Sequence, residues 1–144
     1  MCFYFKQTVL PDSIPDKIVA YKVYIVSHSL SCLCSPHYRY AIFGEIFKSG
    51  TFKVSKPDVF QWRQSAMSVG GFHCFKRRRD AFLYMNHSPD VFQMRIVPVH
   101  LDKKDIFALG ITPYSSNKKN HEGETYLSTA ITITEEDFKK AIND

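Results

Sequence analysis

The run Lys17–Ser27, KIVAYKVYIVS, constrains the fold more than any other stretch of the chain. It is made largely of β-branched and aromatic residues and holds no glycine, proline, asparagine or aspartate. Branching at Cβ and ring bulk favour a pleated, extended backbone over a helix, so the run reads as a β-strand. Successive residues of a strand point to opposite faces. Both sets are mostly apolar here, which predicts a central strand covered on both sides. Lys22 is the charge in its middle. Its ammonium either reaches solvent or opens onto a pocket in the sheet face.

Turn-forming residues divide the remainder. Met1–Phe5 is short, apolar and expected as a strand, and Pro11, Asp12, Ser13, Pro15 and Asp16 make a connection after it. Ser29–Pro36 reads as a small-residue loop. Tyr38–Phe43 and Glu45–Phe47 read as one strand with Gly44 inside it, ended by Ser49-Gly50. Residues 51–69 fit no single pattern; Pro57 breaks them, and Phe60, Trp62 and Met67 are expected over one end of the core. Gly70–Phe75 reads as a turn into a short strand. Lys76–Asn86 reads as a helix with Ala81, Phe82, Tyr84 and Met85 on its apolar face, stopped by Ser88-Pro89. Val91–Leu101 alternates as a strand, and Pro98 places it at an edge or a bulge.

Ile106–Leu109 is a short apolar piece closed by Gly110, Tyr114–Gly123 a polar loop, and Tyr126–Ile133 a further strand. Thr134 and Asp137 resemble a capping box that opens a last helix, Glu135–Ile142, with Phe138 and Ile142 inward. About six strands thus stand against two short helices, with no βαβ alternation. That pattern predicts an α+β fold: one domain over residues 1–144 with a curved, mostly antiparallel sheet. A chain of 144 residues is of single-domain length and can bury a core without staples.

Composition supports this and limits the function classes. The aromatic share is 15%, with twelve Phe and eight Tyr; large rings fill a thick core or line a binding face. The net charge of +5 is uneven. Residues 1–100 hold thirteen Lys/Arg and six Asp/Glu, whereas residues 101–144 hold six and eight. A basic body suits an anionic partner: a nucleotide, a nucleic acid or an acidic protein surface. No run of about eighteen apolar residues is present, so no membrane partner is expected. No secretory h-region precedes the four cysteines, Cys2, Cys32, Cys34 and Cys74. They are expected as reduced thiols in a cytoplasmic protein.

Several short motifs occur in a fixed order: Met1-Cys2-x-Tyr4, Tyr21-Lys22-Val23, Ser35-Pro36 with Tyr38-x-Tyr40, Gly44, Gly71-Phe72-His73-x-Phe75, Asp80-Ala81 and Tyr126-Leu127-Ser128. In this order the chain resembles a family of small uncharacterised proteins from bacteria and their phages over residues 1–133. The resemblance implies a microbial or viral setting, with a phage-type factor acting on a host system as one expectation. It implies no mechanism. The final helix and the lengths of 51–69 and 112–123 depart from the family pattern.

Four chemistries are weighed. Removal of Met1 would give Cys2 a free amine beside its thiol, a nucleophile with its own base, and His73 would be the partner that lowers the thiol pKa. Packing of Cys2 beside Phe3 and Phe5 is the alternative. Second, Gly71–Ala81 followed by Val91–Val99, with Tyr126-Leu127-Ser128-Thr129, is similar in outline to ADP-ribosyltransferases. Such a nucleotide-binding domain would use His73, Tyr21 and Ser128. That family's catalytic Glu lies well after its Ser-Thr segment, whereas here Glu135 and Glu136 follow at once. Third, His28, Cys32, Cys34, His37 and Cys74 can be drawn as a zinc set, but Cys32-Leu33-Cys34 lacks the two-residue spacing of zinc knuckles. No metal or cofactor is therefore assigned. Fourth, Lys76, Arg77, Arg78 and Arg79 open a helix against its macrodipole. An anion gripped there would relieve the conflict. Arg39 and Lys48, with Tyr38 and Tyr40, would extend the surface toward single-stranded nucleic acid. A solvated helix face is the alternative. The reading preferred is a non-enzymatic binder of an anionic partner, with Tyr21, Lys22, Arg77, Arg78, Arg79 and Ser128 as ligand-binding residues.

Overall fold

A computed structural model describes residues 3–7, 10–35, 46–54, 59–62, 65–68, 71–86, 91–113 and 122–144. Its strands are β1 (Phe3–Gln7), β2 (Lys17–Ser27), β3 (Cys32–Cys34), β4 (Ile46–Phe47), β5 (Gly50–Lys53), β6 (Val59–Trp62), β7 (Ser65–Ser68), β8 (Phe72–Phe75), β9 (Met94–Asp102), β10 (Ile106–Pro113), β11 (Glu122–Ser128) and β12 (Ala130–Ile133). Its helices are α1 (Arg78–Asn86) and α2 (Glu135–Asn143). The strands form one open sheet in the order β5-β12-β9-β2-β8-β11-β10-β1-β7-β6, with β3 on β2 and β4 on β3. Every described pairing is antiparallel, which makes this the α+β fold expected. No helix among the described residues is long and apolar enough to cross a membrane.

Strand β2 is central, as its two apolar faces require. One edge pairs with β9 from Lys17–Asp102 to Ile25–Met94. The other is shared by β8, at Tyr21–Phe75, and β3, at Ile25–Ser27. The sheet curls round the face that carries Ala20, Tyr24, Val26, Val97, Val99 and Leu101. From opposite sides of β2, Phe47 of β4 and Phe52 of β5 meet over that face with ring centroids 5.0 Å apart. Leu10 and Ile14 of the first connection, and Phe138 and Ile142 of α2, pack against the same core. The outer face carries Val23, Ile25, Phe75 and Met94, with Ala81 of α1 buried on it.

The structure differs from the sequence reading in count and in joints. Among the described residues twelve strands replace six. The expected loop 29–36 contains β3, whose Leu33 enters the inner core while Cys32 and Cys34 face outward; a three-residue strand is too short to show a period, and pairing alone reveals it. Ser31 at φ 48° closes the turn before it. Gly50 starts β5 instead of ending a strand, and Gly110 lies inside β10. The expected strand 126–133 is two: at Thr129 the chain leaves β8 and β10 for β9 and β5. The strand expected over 38–47 lies outside the described residues except for its end at Ile46–Phe47. The contacts of Phe60, Trp62 and Met67 lie outside them too. Helix α2 begins as read: Thr134 Oγ1 accepts from the Asp137 amide at 3.1 Å and donates to Asp137 Oδ2 at 2.8 Å.

Candidate functional site

The four cations do not all open the helix as expected: α1 begins at Arg78, and Lys76 and Arg77 precede it. Successive helical residues turn by about 100°, and the chain sends these side chains in different directions. Lys76 Nζ and Arg77 Nη2 lie 3.8 and 4.0 Å from Glu124 Oε2 on β11. That carboxylate stands beside the two cations that precede α1. Asp80 in the same turn is pushed up by burial, against the pull of Arg77 and Arg79. Arg78 and Arg79 are exposed, and Arg78 turns into a groove.

That groove, of about 290 Å³, is lined by residues of α1, β9 and α2. Arg78, Phe82 and Met85 form one stripe of α1, at i, i+4 and i+7. Asp137, Lys140 and Ala141 of α2, with Asp144 just past its end, form the facing stripe. Met94, Arg95, Ile96 and Pro98 of β9 lie between them. Helix α1 packs on the outer sheet face and α2 against the inner core, so the two helices flank the edge of β9. Three cations, Arg78, Arg95 and Lys140, reach it from three different elements. Its two carboxylates are unequal in freedom, since Asp137 already accepts from Thr134 and lies 3.6 Å from His100 Nε2. Arg78 and Lys140 have no ion-pair partner among the described residues, whereas Arg95 Nη1 donates to the carbonyls of Met94 and Phe92 at 2.8 and 3.2 Å.

Phe82, expected inward, is 49% exposed and lines the groove. Ala81 is the buried residue of α1, with Leu83, Tyr84 and Met85 packed around it. A second exposed ring, Phe92 at 90%, follows closely in the chain before Arg95. Arg95 and Lys140 were not singled out in the sequence. Arg95 had a signal, as a charge inside an apolar strand. Lys140 had none, because a lysine on a solvated helix face looks the same.

The other candidate residues sit elsewhere. His73 is buried, 6% exposed, on β8. Its partner in register is Leu127, on the outer face with Phe75 and Tyr21. Ser128 is opposite Phe72, which belongs to the inner core. His73 and Ser128 therefore point to opposite faces of the sheet, and Tyr21, His73 and Ser128 do not converge on one open surface. Ser128 is wholly buried, and its hydroxyl donates to the Ala130 carbonyl at 2.7 Å and accepts from the Ala130 amide at 3.2 Å, with Asp105 O at 3.3 Å. It fastens the corner where the chain changes strand partners.

Lys22 does not line the groove. It is half-buried on the inner face, its Nζ 5.6 and 5.9 Å from the ring centroids of Tyr24 and Phe72, and it donates to His73 O at 3.0 Å. Cation–ring contact and a carbonyl acceptor offset the loss of hydration. Cys2 lies outside the described residues, as do His37, Tyr38, Arg39 and Tyr40. The drawn zinc set is not brought together: Cys32 and Cys34, with sulfurs 3.9 Å apart, lie in the outer cluster, and Cys74 in the inner core. Burial pushes the Cys74 thiol up to about 11 against the opposing charge of Lys22, and burial together with Cys32 pushes Cys34 up to about 11. Neither is a ready nucleophile. A smaller pocket of about 190 Å³, at Pro11, Ile14, Leu109 and Tyr126, presents one cation, Lys76, already beside Glu124.

No protein-family model, no curated protein and no solved structure matches this chain.

Proposed function

We propose that this protein is a non-enzymatic binding module that holds an anionic partner in the groove between α1, β9 and α2. The observation that carries the reading is the convergence of Arg78, Arg95 and Lys140 on one groove. Cations on separate rigid elements, with apolar surface between them, can grip a multiply charged ligand while excluding part of the solvent. The basic balance of residues 1–100 adds a long-range field of the same sign. By resemblance, the setting is a bacterium or its phage, with the partner a component of the host cell.

The test is fluorescence anisotropy with two polyanions, labelled poly-L-glutamate and labelled oligothymidylate, between about 50 and 300 mM salt. At least one should bind, with affinity falling steeply as salt rises. The double variant Arg78→Glu/Lys140→Glu should weaken it at least tenfold. Both side chains are exposed, so stability should change by no more than about 0.5 kcal/mol. Absence of binding to both polymers, or binding indifferent to the double variant, overturns the proposal.

A further inference from the structure

The groove has a feature that a site for a free anion does not need: its floor is a strand edge that no strand among the described residues pairs with. On one side β9 pairs with β2 from Asp102 back to Met94. On its other side β12 pairs at His100–Thr132, after which the chain turns at Thr134 into α2. From Pro98 back to Met94, no strand among the described residues pairs with this edge. Those five residues span four steps of about 3.3 Å, roughly 13 Å.

The direction of the backbone groups follows from Pro98. A proline has no N–H to give a ladder, so it sits where that group would point away from the partner strand. Backbone pairs alternate from side to side along an antiparallel strand. Alternation from Pro98 therefore directs the amide and carbonyl of Ile96, and the carbonyl of Met94, toward the groove. Arg95 Nη1 donates to that Met94 carbonyl at 2.8 Å, as expected of an edge acceptor with no strand opposite. Bare edges are templates for another chain. Here the edge is recessed between two helices, so access is restricted to a single extended segment.

Resting on the anion-binding reading, we infer that the partner is an extended acidic segment of another protein, which adds as a strand to the edge of β9 between α1 and α2. Three cations against two carboxylates, Asp137 and Asp144, leave the groove net positive, which suits this occupant. Side chains of an added strand alternate toward the two helices, so adjacent acidic residues would meet Arg78 on one wall and Lys140 on the other. An apolar neighbour would lie on Phe82 and Met85. Main-chain bonds supply affinity in this mode, and alternate side chains supply selectivity. A nucleic acid offers phosphates to the cations but no amide ladder to the edge.

The probe is a fluorescein-labelled hexapeptide, Thr-Val-Glu-Glu-Val-Thr, titrated with the full chain. Three comparators are used: the Lys-Lys version of the peptide, a version N-methylated at alternate residues, and oligothymidylate of similar length. The acidic peptide should bind. The Lys-Lys version should bind at least tenfold more weakly, as should the N-methylated peptide in whichever of its two registers blocks the edge. Arg78→Glu and Lys140→Glu, each with an unchanged melting curve, should weaken the acidic peptide at least tenfold. If both N-methylated registers bind like the parent, strand addition is overturned and the anion-binding reading stands. If oligothymidylate binds and the peptide does not, the partner class is overturned and that reading again stands. If neither probe binds, both fall.

Discussion

Replacing Gly123 with alanine tests how α1 is seated on the sheet, and with it the placement of Arg78. Gly123 lies in β11 beneath the first turn of the helix. A Cβ built there would stand 2.8 Å from both Cδ1 and Cε1 of Phe75 and 2.9 Å from Asp80 Cβ. Carbon atoms without a bond between them rest at about 3.5–4.0 Å, so something must move by more than half an ångström. The Phe75 ring cannot easily do so: it is 1% exposed and packs on Tyr84 at a centroid distance of 5.5 Å. Displacing Asp80 means lifting the start of the helix. Overpacking of this kind costs about 1–3 kcal/mol. Alanine stiffens the unfolded chain and returns about 0.4–1 kcal/mol. Taking the middle of each range, about 2 less about 0.7, the net expectation is a loss of about 1.3 kcal/mol. At this chain length that corresponds to a melting point lower by about 2–8 °C.

Urea denaturation followed by circular dichroism measures the loss, with Phe75→Leu and the double variant completing a cycle. Leucine removes the Cε1 carbon and replaces the rigid ring edge at Cδ1 with a methyl that can turn aside. The double variant should therefore be less destabilised than the sum of the singles, by at least about 0.5 kcal/mol. A Gly123→Ala protein as stable as the parent, or strict additivity, would refute the account of a helix held down by a missing side chain.

Two further outcomes follow from the ionisable groups. Cys34 and Cys74 are buried and pushed up to about 11, so at pH 8 only about one in a thousand of either is thiolate; iodoacetamide followed by peptide mass mapping should show Cys32, Cys34 and Cys74 labelled in the native protein only at the rate of unfolding, and labelling of any of the three at the rate of a free thiol would contradict the packing. The Lys17 side chain holds the Asp102 carboxyl below its ordinary value. A depressed acid contributes stability that is present above the unfolded value of about 3.9 and lost as pH falls through the folded value. Asp102→Asn should therefore flatten the acid limb of a stability-against-pH curve below about pH 4 and leave a small deficit at neutral pH, because the pair is exposed; an unchanged acid limb would show the pair to be without thermodynamic weight.

Local chemistry along the chain determined a good deal by itself. The β-branched run at 17–27 could only be a central strand, because its two faces had no polar side to show to water. The Thr134–Asp137 pair marked the start of α2 to the residue, since a cap is made by neighbours in sequence. Glycine–aromatic and helix-period signals located β8 and α1 for the same reason. The tertiary structure alone decided where β3 lies and that 126–133 breaks at Thr129, because those boundaries depend on which distant strand is paired. It decided that Ser128 fastens a corner, that Lys22 lies over two rings, and that His73 and Ser128 face apart, because a side chain's role in a sheet depends on register across strands. It also split the cationic run: Glu124, far along the chain, takes Lys76 and Arg77, while Arg78 joins Arg95 and Lys140 only once α1 and α2 flank the edge of β9. Sequence carries the period of each element, but a site assembled from three elements exists only after they pack.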